Sequence, residues 1–240
     1  MQQTFRELAH RWAEAKQPIV KYSTICAYRL ALRTHLIPRF GSMIQIHEAE
    51  VQEFIVDKMR AGMAKKTVRD IVAVLRAVVR YGARLHLCER ENWQLAYPTT
   101  EQGRKLPVLS LAHQRKLMQY LVGQPTSRNI GILLALCTGM RIGEVCALEW
   151  GDVSLQHRTL RVRQTVGRIY DCERRVTERV FSTPKTKHSF REIPISKLLF
   201  DALCSVKRQG SSRFVVGVSE QDSDPGAYRD YFSRLLRRLQ

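Results

Sequence analysis

The chain has 240 residues, 44% of them hydrophobic, and sets 40 Lys and Arg against 22 Asp and Glu for a formal net charge of +18. Domains usually run about 100 to 150 residues, so this length and apolar content predict two modest cores. The charge attracts polyanions, with double-stranded nucleic acid the natural partner, while no stretch approaches the roughly 18 to 20 uninterrupted apolar residues of a membrane span.

From Phe5 to about His86 the apolar spacing is helical throughout. Phe5, Leu8 and Trp12 mark a first helix, and Ile25, Tyr28, Leu32 and Leu36 a second that Pro38 and Gly41 are expected to end. A third helix is predicted from Glu48 to Met59, stopping at Gly62, and a fourth carries Val68, Ile71, Val72, Leu75, Val78 and Val79 on one broad face. That fourth helix opens with Lys65, Lys66, Thr67 and Arg69 and continues with Arg76, Arg80 and Arg84. Any one of these can be a solvated flank, but the cluster near a helix N-terminus is a phosphate-contacting pattern, and Lys65, Lys66, Thr67, Arg69 and Arg76 are the candidate DNA-binding residues of this half.

Between Glu91 and Pro107 the periodicity is lost, and Pro98, Thr99, Thr100, Gln102, Gly103 and Pro107 accumulate around Arg104 and Lys105. The expected organisation is therefore a helical domain at 1–90, a linker at 91–107 and a second domain at 108–240. In the second domain, helices are predicted near Leu111 to Val122, Ile130 to Cys137, Arg141 to Leu148, Ser196 to Lys207 and Tyr228 to Leu239. Strands are expected at Thr159 to Val166, Phe190 to Ile195 and Phe214 to Val218, making a fold that is mainly α with a small antiparallel sheet in the second domain.

No signal peptide is expected, because Arg6, Glu7, His10 and Arg11 interrupt the apolar region it needs, and a cytoplasmic protein follows. The six cysteines are scattered without a Cys-x-x-Cys pair, and His86 with Cys88 is too little for a metal site, so reduced thiols and no metal are expected.

One segment carries chemistry: Thr138-Gly139-Met140-Arg141-Ile142-Gly143-Glu144, followed by Leu148-Glu149-Trp150-Gly151-Asp152-Val153. An Arg and a Glu one helical turn apart face the same way, a common pair worth a few tenths of a kcal/mol. This Arg, however, follows a Thr-Gly break at the end of an apolar helix, where a guanidinium needs an anionic partner. The segment resembles the first conserved box of the tyrosine recombinases, the phage integrase family. Phe181-Ser182-Thr183-Pro184-Lys185-Thr186-Lys187 and Ser189-Phe190-Arg191-Glu192-Ile193-Pro194-Ile195 are similar to the hairpin that delivers the family's lysine, and the helical half resembles its SAM-like core-binding domain more loosely.

The resemblance implies that Arg141 clamps the scissile phosphate, that Glu144 is the acidic position ordering it, and that Lys185 is the general acid for the departing 5′-oxygen. Lys187, also a candidate DNA-binding residue, projects from the same face of an extended segment, so the lysine stays open between the two. It also implies a reaction without metal, nucleotide or other cofactor, through a 3′-phosphotyrosyl enzyme, performed by tetramers on paired DNA sites. The family's later parts are a His-x-x-Arg box, a further His or Trp, and the nucleophilic Tyr. No histidine follows His188, and Tyr228 and Tyr231 lie where packing is their expected role. The expectation is thus an integrase-type catalytic domain incomplete at its C-terminus, monomeric in solution, that binds DNA without forming a covalent adduct. The alternatives are a non-catalytic DNA-binding protein on this scaffold and a two-metal nuclease. The second lacks clustered carboxylates, since Asp152, Asp171, Asp222 and Asp224 form no such arrangement.

Overall fold

The computed structural model describes residues 3–89, 92–99, 108–183, 190–207, 212–217 and 224–239. The chain divides into two compact units, residues 1–105 together with 170–176, and residues 106–169 together with 177–240. Among the described residues no helix is long and apolar enough to cross a membrane.

The first unit is built on helices α1 (Phe5–Lys16), α2 (Tyr22–Ala31), α3 (Ile37–Phe40), α4 (Glu48–Arg60) and α5 (Lys65–Arg84). Thr4 and Glu7 start α1 reciprocally: the Glu7 N–H donates to the Thr4 hydroxyl, and the Thr4 N–H donates to the Glu7 carboxylate at 2.8 Å. Helix α5 buries Val68, Ile71, Val72, Val74, Leu75, Val78 and Val79. Each such side chain contributes about 1.5 to 3 kcal/mol on leaving water, enough to override the weak helix propensity of so many valines.

Pro38 does not end the second helix. A π turn at Leu32–Leu36 joins α2 to α3, with the Ile37 N–H donating to the Leu32 carbonyl, so the bonding register shifts just before the residue that has no N–H to offer. The chain leaves the helix at Gly41, where an added Cβ would lie 2.4 Å from the Ile37 carbonyl oxygen.

Composition placed residues 91–107 in a linker, yet 92–99 belong to the helical unit. Trp93 is buried in its core. Gln52 bonds both backbone groups of Ala96 at 2.9 Å, Glu48 accepts from the Gln94 N–H, and Arg76 donates to the Trp93 carbonyl. An extended segment rich in polar residues carries no periodicity, so its docking is written only in its partners' side chains. Residues 170–176 are likewise part of this unit, where the Tyr22 hydroxyl donates to Asp171 at 2.9 Å and Arg29 pairs with Glu173 at 2.7 Å.

The second unit contains helices α6 (Leu111–Gly123), α7 (Ser127–Thr138), α8 (Ile142–Ala147), α9 (Lys197–Lys207) and α10 (Pro225–Leu239). Strands β1 (Val153–Ser154), β2 (Thr159–Val162) and β5 (Arg191–Pro194) form an antiparallel sheet in the order β1-β2-β5, with Val162 opposite Arg191. The predicted strand at Thr159–Val166 is two strands: β3 (Thr165–Asp171) leaves the sheet and pairs with β4 (Val176–Ser182). Strand β4, Val-Thr-Glu-Arg-Val-Phe-Ser, is mostly exposed and shows none of the alternation that marks a half-buried strand. The core packs Leu133 and Leu134 of α7, Val145 of α8, Leu160 of β2 and Leu199 and Leu203 of α9. Of the strand expected from Phe214 to Val218, Val218 lies outside the described residues, and Phe214 makes an isolated bridge to Glu149.

Candidate functional site

The break after α7 is built by its glycine. Gly139 adopts φ 66°, the left-handed conformation that costs a residue without Cβ least, and its N–H donates to Ala135 to close the helix. The Thr138 hydroxyl donates to the Leu134 carbonyl at 2.5 Å and accepts from the Met140 N–H at 3.3 Å. Met140 is buried as an anchor, and the backbone becomes extended at Arg141, the N-cap of α8.

Glu144 then performs two tasks with one carboxylate. It accepts the Arg141 backbone N–H at 2.9 Å, capping α8, and the Arg141 Nη1 at 3.0 Å, orienting the guanidinium. Its own side chain is 3% exposed, whereas that of Arg141 is 74% exposed. The buried carboxylate is held from the other side by Arg191 of β5, Nη2 to Oε2 at 2.8 Å and Nη1 to Oε1 at 3.3 Å. Burial by itself would push the Glu144 carboxyl up, but the hydrogen bonds from Arg191 and from the backbone and side chain of Arg141 outweigh it and hold the group below its ordinary range. Two guanidinium groups share one carboxylate, so the triad keeps a net positive charge, and Arg141 turns its forked donors outward.

Close approach of the chain makes this possible. A Cβ on Gly143 would stand 2.5 Å from the Thr165 hydroxyl oxygen and 2.6 Å from the Val166 carbonyl oxygen, so only glycine lets the start of β3 lie against α8. Gln164 reinforces the corner by donating to the Ala147 carbonyl and to Glu149. Asp152 is buried and pairs with Arg163.

Of the other expected catalytic residues, Lys185 and Lys187 lie outside the described residues. Arg191 was missed as a site residue. It stands three residues after His188, the spacing of the family's His-x-x-Arg box, but its guanidinium is turned onto Glu144. Tyr228 is buried, donates to the Arg128 carbonyl, and has its phenol pushed up by that burial, while Tyr231 donates to Asn129 at 2.5 Å. Both phenols pack α10 against α7. Among the described residues no three His, Cys, Asp or Glu side chains gather as metal ligands.

The cations on α5 divide. Lys65 donates to the Tyr97 and Pro98 carbonyls at 3.4 Å, Arg69 lies 5.0 Å from the Tyr97 ring centroid, and Arg76 donates to the Trp93 carbonyl at 2.9 Å. Those three hold the segment 93–98. Lys66 is exposed and paired with Asp70 at 3.0 Å, and Thr67 is exposed.

Two family patterns match this chain: the phage integrase N-terminal SAM-like domain over residues 4–59, and the phage integrase family over residues 108–225. An integrase of Saccharopolyspora erythraea is 26% identical over 170 residues, covering 68% of this chain and 38% of the relative. A protein of Caldanaerobacter subterraneus subsp. tengcongensis named as tyrosine recombinase XerC-like is 22% identical over 213 residues, covering 83% and 54%. The chain thus spans about half or less of the length of these curated relatives. Among solved structures, the Tn1549 transposon integrase in complex with a circular intermediate DNA superposes with a TM-score of 0.77 at 18% identity, over 98% of this chain and 78% of that one. Lambda integrase residues 75–356 bound to DNA gives 0.67 at 15%, over 99% and 79%.

Proposed function

Because this chain belongs to the phage integrase family of tyrosine recombinases, we propose that it is the DNA-binding and partly catalytic portion of a site-specific DNA recombinase. Arg141, exposed yet oriented through a buried Glu144 that Arg191 also clamps, is the observation that carries this reading. A planar fork of N–H donors anchored at one corner matches two non-bridging oxygens of a phosphodiester, and charge that develops there in a five-coordinate transition state meets donors already in place.

Glu144 sets the direction of that fork, and its depressed pKa keeps it an anion at neutral pH. Lys185 would protonate the departing 5′-oxygen, with Lys187 as the alternative. The reaction needs no metal or cofactor, because a tyrosine supplies the nucleophile and the phosphotyrosyl bond conserves the energy that rejoins the strands. These 240 residues supply neither that tyrosine nor a histidine beyond His188. By themselves they bind duplex DNA as a monomer, the full assembly being a tetramer on paired sites in the cytoplasm. On α5, Lys66 and Thr67 are the contacts best placed for phosphate, with Lys65, Arg69 and Arg76 holding the chain beside them.

A second reading, a DNA-binding protein on this scaffold without chemistry, is favoured by the engagement of Tyr228 and Tyr231 in packing. Both readings are tested together with a nicked suicide duplex. Binding by anisotropy, with Arg141→Ala weakening it while the variant remains folded at the assay temperature, supports the phosphate clamp. A covalent protein–DNA band on a denaturing gel would show that these 240 residues hold a working nucleophile and overturn the assignment. Retention of full duplex affinity after Arg141→Ala would favour the second reading.

A further inference from the structure

The cations of α5 meet two different fates. Lys65, Arg69 and Arg76 are spent on residues 93–98. Further along the same helix, Arg80 and Arg84 join Lys16 of α1 around an open cavity of about 530 Å³ whose other walls are Trp12, Ala77 and Ala83. Among the described residues no carboxylate lines it. Among the described residues, none of the three cations has an ion-pair partner.

Helix ends explain part of this charge. Lys16 and Arg84 sit in the last turns of α1 and α5, where cations offset the negative ends of the helix dipoles. Each dipole amounts to about half a charge, so roughly two positive charges remain, and Arg80, a turn earlier, has no such role. Among the described residues Arg80 donates only to the Arg76 carbonyl, at 3.4 Å, and Arg84 leans on the Tyr81 ring. Arg80 and Arg84 lie one helical turn apart on α5, and like charges so placed repel one another unless an anion joins them. The small side chains of Ala77 and Ala83 leave room for that anion, and the buried Trp12 gives the cavity a firm apolar floor.

We propose that this cavity is a phosphate pocket of the helical unit that grips a backbone phosphodiester of duplex DNA, separately from the N-terminus of α5. The proposal rests on the DNA-binding reading above. A phosphate contact positions the protein without reading bases, so its loss weakens every duplex alike.

The test measures duplex affinity of the 240-residue protein by anisotropy across a salt series, for one cognate-type and one random duplex. Each phosphate-neutralising cation contributes about 0.9 to the slope of log K against log salt. R80A/R84A should therefore flatten the slope by roughly 2 on both duplexes, R80K/R84K should keep it, and the equal-charge control R11A/R60A should change it far less. Unfolding curves confirm that the variants fold. An R80A/R84A slope equal to that of the control overturns the pocket while leaving the function standing; a parent that binds no duplex overturns both. Inorganic phosphate is the second probe. If it raises the melting temperature of the parent but not of R80A/R84A while the slope is unchanged, the backbone assignment falls in favour of a small phosphorylated ligand.

Discussion

Replacing Arg191 by Met tests the architecture of the site most directly. Glu144 accepts four hydrogen bonds, two from Arg141 and two from Arg191, at a side-chain exposure of 3%. Breaking a fully buried ion pair costs about 3 to 5 kcal/mol because the survivor stays buried and charged. Here Arg191 is itself 28% exposed and Arg141 remains as a partner, so water can reach the gap and the expected loss falls to about 2 kcal/mol. In a unit of this size that corresponds to a drop in Tm on the order of 5 to 10 °C. The effect depends on pH in a defined direction. A carboxylate whose folded pKa is depressed stabilises above its unfolded value, about 4.3, and that contribution is lost as pH falls through the folded value. The gap between parent and R191M should be widest at neutral pH and narrow as pH falls below the ordinary carboxylate range toward the depressed folded value. Denaturant unfolding at pH 7 and pH 3.5 measures it, and E144Q/R191M, which removes both charges, should recover most of the loss and so isolate the pair from other contacts of Arg191. A gap under about 0.5 kcal/mol at pH 7, or one that does not narrow in acid, would refute the account.

Gly143→Ala should cost about 1 to 3 kcal/mol by chemical denaturation, because the new methyl meets the Val166 backbone at 2.6 Å. Gly123→Ala, which meets nothing within 4 Å, should be neutral or slightly stabilising, and equal effects at the two positions would show that α8 and β3 are not in tight contact. Gln52→Ala removes both backbone bonds to Ala96, so amide exchange at Ala96 should quicken by at least about tenfold while the interior amides of α5 keep their protection. Unchanged exchange at Ala96 would mean that the segment is held elsewhere.

Local rules made much of this chain legible. The capped and glycine-stopped α4 and the valine-rich face of α5 follow from periodicity, with boundaries within a residue or two. The Thr-Gly-x-Arg-x-Gly-Glu box carries its own geometry, since the left-handed glycine, the N-cap and the N3 carboxylate are all neighbours along the chain. The partnership of Arg141 with Glu144 could be foreseen for that reason.

Interactions that depend on residues distant along the chain could not be foreseen. Arg191 reaches Glu144 across 47 residues, and only the pairing of β5 with β2 brings that guanidinium to the buried carboxylate. Residues 92–99 look like linker because their order comes from Gln52, Arg69 and Arg76 on other elements, and the same docking decides which cations of α5 are already engaged. The continuation of α2 through a π turn to Phe40, past Pro38, is likewise set by packing of Leu32, Leu36 and Phe40 in the core. Sequence alone determined the family, the helical pattern and the polarity of the Arg141 box, because these are encoded over one or two helical turns. Which charges are buried, shared or left open to an anion was decided by tertiary structure, because a charge's energy depends on the partners and the solvent that folding places around it.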